Sequence, residues 1–253
     1  MIVGKVGKNL VGGRAWSEQE YLLDKMTLTD LIRAYLTYPT IQLNAVLAAI
    51  ALAVALYLHD SVVRLIVITA IAVVVYSLVE YLLHRFVLHA RVLYRSKATA
   101  ALWKRVHFDH HQDPSNLAVL FGDMRTTWPP IFVLAAPPGY LIHGVAGAAA
   151  AVFCAVVLFS AYEFCHCFQH LAYEPKNRYF RRLKKRHLLH HFHNETGNFG
   201  ITSHFWDLAF GTNYDEAAER SRSENVRDLG YAGDEVERYP WVKELSNELG
   251  SVQ

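Results

Sequence analysis

The sequence holds only three cysteines in 253 residues, which excludes a disulfide framework. It has no Gly-rich dinucleotide fingerprint, so no nucleotide-borne reductant is expected within the chain. Its charge is nearly balanced, 25 Lys and Arg against 23 Asp and Glu for a net of +2, and gives no case for nucleic acid as a partner. Residues 1–16 are rich in Gly and Lys without a long apolar core, so a cleavable signal peptide is not expected. Charge is also missing along the chain. It is absent from Ile41 to Leu58, where Gln42 and Asn44 are the only strongly polar residues, and from Leu65 to Leu83 except at Glu80. Apolar runs of roughly 18 or more residues read as membrane spans.

A third apolar stretch, Trp128 to His143, carries Pro129, Pro130, Pro137 and Pro138 and is expected to be a short, kinked or broken span. A fourth, Gly144 to Tyr162, is long enough to cross. The fold class expected is therefore all-α: an integral membrane protein with about four transmembrane helices in two hairpins. Basic residues gather after the second and fourth spans, Arg85 to Arg105 and Lys176 to Arg186, whereas Arg64 is alone at the opposite ends. By the positive-inside rule both termini and the cap between the spans face the cytosol.

Three regions follow. Residues 1–40 form an N-terminal cytosolic or interfacial helical segment. Ser17 and Glu20 suit a capping box there, and Leu28, Leu31, Ile32, Tyr35 and Leu36 make one apolar stripe ending at Pro39. That stripe fits either the membrane interface or the face of the cap. Residues 41–212 are the membrane and cap domain. Residues 213–253 are a polar tail, with ten acidic residues between Asp215 and Glu248, expected to be disordered in part or wrapped on the cap.

What the chain has in abundance is histidine: ten of its fourteen fall into four clusters. They are His84-x4-His89, His107-x2-His110-His111, His166-x3-His170 and His187-x2-His190-His191. Positions i, i+3 and i+4 lie on one helical face, so each triplet is expected to converge on one point. Five residues turn a regular helix by about 140°, so His84 and His89 can share a site only if the helix ends or bends between them. Two membrane helix ends supply pairs and two cap helices supply triplets, which places a dimetal site at the cytosolic membrane surface. Imidazole suits Zn, Cu, Fe and Ni. His59 and His143 fall at the opposite ends of the spans. Cys154, Cys165 and Cys167 read as packing residues.

These clusters, with Glu80-Tyr81-x2-His84-Arg85-Phe86, Leu183-Lys184-Lys185-x-His187-Leu188-x-His190-His191 and Phe199-Gly200-x-Thr202-Ser203-x-Phe205-Trp206-Asp207-x2-Phe210-Gly211-Thr212, resemble the fatty acid hydroxylase superfamily, the fatty acid 2-hydroxylase branch most closely. The likeness covers about residues 76–212. It implies a non-haem di-iron site held by the ten histidines, with O2 as co-substrate, that hydroxylates an unactivated C–H bond of a lipid acyl chain. Zn2+ outcompetes Fe2+ at such ligands, so zinc in a purified or crystallised sample would not speak against iron. Glu80, Asp109, Glu163, His193, His204 and Asp207 are candidates to orient the ligands. Phe86, Phe164, Phe168, Phe199 and Phe205 are candidates to line the acyl site.

Many relatives in that branch carry a fused cytochrome b-type domain, and no His-Pro-Gly-Gly signature occurs here. Electrons are thus expected from a separate protein, a ferredoxin or small cytochrome with its reductase, docking on the basic face Arg181 to Arg186. The same face also suits anionic lipid. A bacterial inner membrane is favoured over the endoplasmic reticulum. The competing functions are a sterol or carotenoid desaturase or hydroxylase of the same superfamily, and a non-enzymatic membrane metal-binding protein.

Overall fold

The computed structural model describes residues 21–245, and the Ser17–Glu20 capping box lies outside them. The first helix, α1 (Leu28–Thr37), is opened by a different box: Thr27 Oγ1 accepts from Asp30 N at 3.2 Å and Asp30 Oδ2 accepts from Thr27 N at 3.0 Å. Leu31 of the apolar stripe is buried against Leu117, Phe121, Cys167 and Leu171, whereas Ile32 and Leu36 stay exposed. Part of the stripe thus packs on the protein, and Ile32 and Leu36 stay outside it.

Among the described residues three stretches are long and apolar enough to cross a membrane, Pro39–Leu58, Val62–Leu88 and Leu117–His170. Pro39 starts α2 (Pro39–Leu58) at the one helical position that tolerates it. Ser61 caps α3 (Val62–Leu83), which runs directly into a π-helical turn at His84–Leu88. The cap begins with α4 (Lys97–Trp103), a second π turn (Lys104–Phe108) and α5 (Asp109–Gln112).

The helix α6 (Met124–His170) carries all four prolines in its first part, yet its break comes after them, at His143 (φ −151°) and Gly144 (φ 54°). Gly144 adopts the left-handed conformation that the reversal demands and that other residues resist. The arms 124–142 and 145–170 run antiparallel: Gly122 N–H donates to Glu163 at the open end, and Gly139 meets Gly147 at the closed end. A Cβ on Gly147 would stand 2.1 Å from Gly139 O. Gly147→Leu is therefore expected to cost about 3 kcal/mol or more, read as a clear fall in Tm in detergent. An unchanged Tm would mean that the arms separate freely.

Asn44, polar within an apolar helix, ties α2 to both arms: its Oδ1 accepts from Trp128 Nε1 at 2.8 Å and its Nδ2 donates to Ser160 Oγ at 3.3 Å. At the far end of the bundle Asp60 lies 3.6 Å from Arg64 and 3.3 Å from His143, so His143 sits remote from the ten clustered histidines.

Asn177 caps α7 (Arg178–Phe192), accepting from Tyr179 N at 2.8 Å, and α8 (Phe205–Ala209) follows a loop against α3. After Thr212 the chain wraps the cap. Leu229, Tyr231 and Val242 bury themselves with Tyr94, Ala100 and Trp103, and Trp241 Nε1 donates to Tyr94 O at 2.8 Å.

Candidate metal centre

The ten clustered histidines gather at one end of the bundle as two groups of five, His84, His89, His107, His111 and His190, and His110, His166, His170, His187 and His191. Within each group one ring nitrogen of every residue lies within 4.8 Å of all the others. The groups adjoin, with the rings of His111 and His191 only 4.2 Å apart.

Neither triplet converges on a single point, against the expectation from spacing. His107 and His111 enter the first group and His110 the second; His187 and His191 enter the second and His190 the first. On a helix, i+4 lies about 40° to one side of i and i+3 about 60° to the other, so a triplet that straddles two centres divides as i with i+4 against i+3. The His84–His89 problem is solved by the first π turn, whose wide i→i+5 bond joins His89 N to His84 O at 3.2 Å and brings the two rings together at a tilt of 49°, Nε2 to Nε2 at 3.2 Å.

Backbone carbonyls, more than carboxylates, hold the rings of the first group. His84 Nδ1 donates to Phe199 O at 2.5 Å, His190 Nδ1 to Gly197 O at 2.8 Å and His111 Nδ1 to Val226 O at 2.9 Å. Two of those carbonyls flank Asn198, whose φ of 56° turns the loop so that both face the site. Asn198 is fixed there by Nδ2–H donation to Tyr214 O and acceptance from Tyr214 N. Sequence reasoning missed Gly197, Asn198 and Val226; an Asn next to Gly after a helix end was the available signal.

Of the six proposed orienting residues, Asp207 and Glu80 stand one step behind the rings, bonded to the loop that serves His84, and the other four make their contacts elsewhere. Asp207 accepts from Phe199 N and Gly200 N, so it braces the loop that serves His84. Glu80 braces the next residues, accepting from Ile201 N, Thr202 N and Thr202 Oγ1. Asp109 pairs with the buried Lys104 at 2.5 Å, and Glu163 accepts from Gly122 N. His193 bonds Arg220 O, and the ring of His204 lies beside Tyr179.

The donor set fits metal ions. In the first group the Nδ1 protons of three rings are committed to carbonyls, which leaves bare Nε2 lone pairs turned inward. Nε2 atoms approach one another at 2.8 Å (His89–His107) and 3.2 Å (His84–His89) in the first group, and at 2.8 Å (His170–His187) and 3.0 Å (His110–His191) in the second. Two nitrogens bound at about 2.1 Å and right angles to one ion stand about 3 Å apart, whereas facing lone pairs with nothing between them repel.

Burial first, then the charge of neighbouring imidazoles, holds His107, His110, His187, His190 and His191 well below the usual histidine range, and His111 is pushed down to about 3 by burial. They are neutral at pH 7, the form that binds metal. Below about pH 6.5 the unfolded chain takes up protons at these positions and the folded chain does not, so each such residue removes about 1 kcal/mol of stability per pH unit. Metal-stripped protein is expected to hold its Tm from pH 8 to 7 and lose it steadily from pH 6.5 to 5. A Tm that stays flat below pH 6.5 would contradict neutral burial.

Beneath the histidines lies a cavity of about 530 Å³ between α3, the cap and both arms of α6. His84, His107, His110 and His166 close one end, and Ile68 and Ile142 mark the other. Its aromatic lining is Tyr76, Phe159 and Tyr162, not the expected phenylalanines. Phe86 and Phe205 face outward, Phe164 and Phe168 pack toward α1, and Phe199 rests on the rings of His84, His89 and His190.

The basic stretch is engaged from within. Arg182 and Arg186 both bind Asp215, Lys185 pairs with Glu216, and buried Lys184 donates to Leu171 O and Tyr173 O. All three cysteines are free, with Cys154 and Cys167 buried and Cys165 half-buried.

Residues 69–212 match the family model described as fatty acid hydroxylase. A dihydroceramide fatty acyl 2-hydroxylase of Arabidopsis thaliana is 35% identical over 112 residues, 42% of this chain and 44% of the relative. A ceramide very long chain fatty acid hydroxylase of Saccharomyces cerevisiae is 36% identical over 116 residues, 42% of this chain and 27% of the relative. The chain thus covers less than half the length of either relative. Among solved structures, full-length scs7p with only its hydroxylase domain visible superposes with a TM-score of 0.61 at 28% identity, over 75% of this chain and 69% of that one.

Proposed function

The chain belongs to the fatty acid hydroxylase family, and from that premise we propose that it is a membrane di-iron oxygenase that hydroxylates a lipid acyl chain near its polar end. The ten histidines would hold the two ions. Bound there, the irons supply the reduction of O2 that lets an unactivated C–H bond be hydroxylated, with electrons from a separate donor protein.

The observation that carries this reading is the cavity. It joins the histidine end of the bundle to apolar residues inside the membrane-spanning region, and its polar lining (Arg105, Asp123, Thr126, Thr127, Glu163) clusters at the histidine end. Ile68, Ile71, Leu134 and Ile142 leave the remainder apolar. A lipid lying in it would place its tail among these side chains and its head, with the adjoining carbons, under the imidazoles. That orientation favours oxidation beside the head group, as in the 2-hydroxylases. Burial of the rings and the apolar lining keep bulk water from the reacting carbon. A metal carrier would place its ligands near the middle of the spans, and here they sit at span ends.

We further propose four crossings, with the two arms of α6 as separate spans and the histidines on the cytosolic side of a bacterial inner membrane. The basic residues after α3 and α6 support that orientation.

Anaerobically iron-loaded membranes, given a reductant system, O2 and deuterated acyl lipids, are expected to yield a product with one added oxygen by mass spectrometry. Absence of any oxygenated product with two irons bound would overturn the reading. Ala155 lines the cavity, and Ala155→Trp is expected to cut turnover at least about tenfold with metal content unchanged, because the ring occupies the space of the chain. Full activity in that variant would place the substrate elsewhere.

A further inference from the structure

The two histidine groups differ in what stands behind them. In the first, three of five rings donate from Nδ1 to fixed carbonyls, Phe199 O, Gly197 O and Val226 O. In the second, the Nδ1 atoms of His110, His187 and His191 are buried and have no hydrogen-bond partner among the described residues. A partner on the outer nitrogen fixes the tautomer, locks the ring and raises the basicity of the inward nitrogen, and its loss costs roughly 10–100-fold in metal affinity. The first group therefore has three such supports where the second has none at the corresponding atoms.

The supports are themselves built in. Asn198 presents two carbonyls from one left-handed turn, Asp207 accepts from the N–H groups of Phe199 and Gly200 and from Thr212 Oγ1, and Arg227 bonds the His111 carbonyl while Val226 takes its ring. Among the described residues nothing comparable braces His110, His187 or His191, and an Nδ1 proton buried without an acceptor opposes the tautomer that turns Nε2 inward.

We propose that the two metal positions are unequal: His84, His89, His107, His111 and His190 form the retained site, and His110, His166, His170, His187 and His191 the exchangeable one. The inference rests on the dimetal reading above. It follows that the protein isolated under metal limitation holds one ion, seated in the first group.

The test is equilibrium dialysis of the purified full chain against zinc–chelator buffers of graded free zinc, with bound zinc per chain measured by mass spectrometry. Two steps of one equivalent are expected, separated by at least about tenfold in free zinc. His170→Gln should abolish the weaker step and leave the tighter one in place. Asp207→Asn, which touches no metal-site ring directly, should move only the tighter step to higher free zinc; it decides the matter if His170→Gln does not fold by circular dichroism. A single two-equivalent step, or movement of the weaker step in Asp207→Asn, overturns the inference while leaving the dimetal reading intact. Saturation at one equivalent or fewer overturns both.

Discussion

His187→Ala is expected to abolish the proposed turnover on acyl lipids and to leave the folded protein about one metal ion short. His187 is fully buried, its Nε2 lies 2.8 Å from that of His170, and its ring packs against those of His166 and His191. Removing it takes one donor of five from the second group and opens a void among the other four. Loss of an outer partner alone costs roughly 10–100-fold in metal affinity, so loss of a ligand should exceed that and reduce turnover by more than about 100-fold. Metal content by mass spectrometry and product by chromatography check it together. Two ions retained with activity intact would remove His187 from the centre.

The second large effect comes from a stretch without a single metal-spaced histidine. Ending the chain after Ser221 is expected to prevent recovery of a folded, metal-loaded protein. The cut removes Leu229, Tyr231 and Val242 from beside Tyr94 and Trp103, side chains worth about 2 kcal/mol each by burial. It also removes the carbonyl that holds His111 and the Arg227 bonds to His111 O and Gln112 O. Against a typical stability of about 5–15 kcal/mol, that loss is most of the margin. Thermal aggregation in detergent and zinc content decide it. A truncated chain that keeps both ions and its Tm would make the wrapping incidental.

All ten clustered histidines could be picked from the sequence because helical spacing is written in residue number. Their division could not, because the seam between two centres belongs to the packing of four helices and not to any one of them. The carbonyl supports were invisible for a plainer reason: a carbonyl has no letter of its own, and only Asn198 in its left-handed turn hinted at one. The error over aromatics was avoidable. Phe164 and Phe168 stand two residues either side of His166, about 200° around the helix, and so must point away from it; Phe159 and Tyr162 share its face. The tail was half legible. Asp215 and Glu216 opposite Arg182, Lys185 and Arg186 announce an attachment by charge, but Leu229, Tyr231 and Val242 are scattered among polar residues without a period.

The two π turns set a rule for how this chain tolerates insertion and deletion. Each amounts to one residue too many for an α-helix, placed within the segment that carries His84 to His89 and again just before His110. Deleting any one residue between Arg85 and Leu88 would close the wide turn to a regular one and set His89 at i+4 from His84, with the cap that follows turned little, because five residues of π turn and four of α-helix each complete about one turn. Substitution in these turns tests side chains, but a change of length tests the frame on which both groups are counted out. Over 85–88 and 104–106, gain of a further residue, which no regular turn is left to absorb, should therefore be resisted more strictly than loss of one.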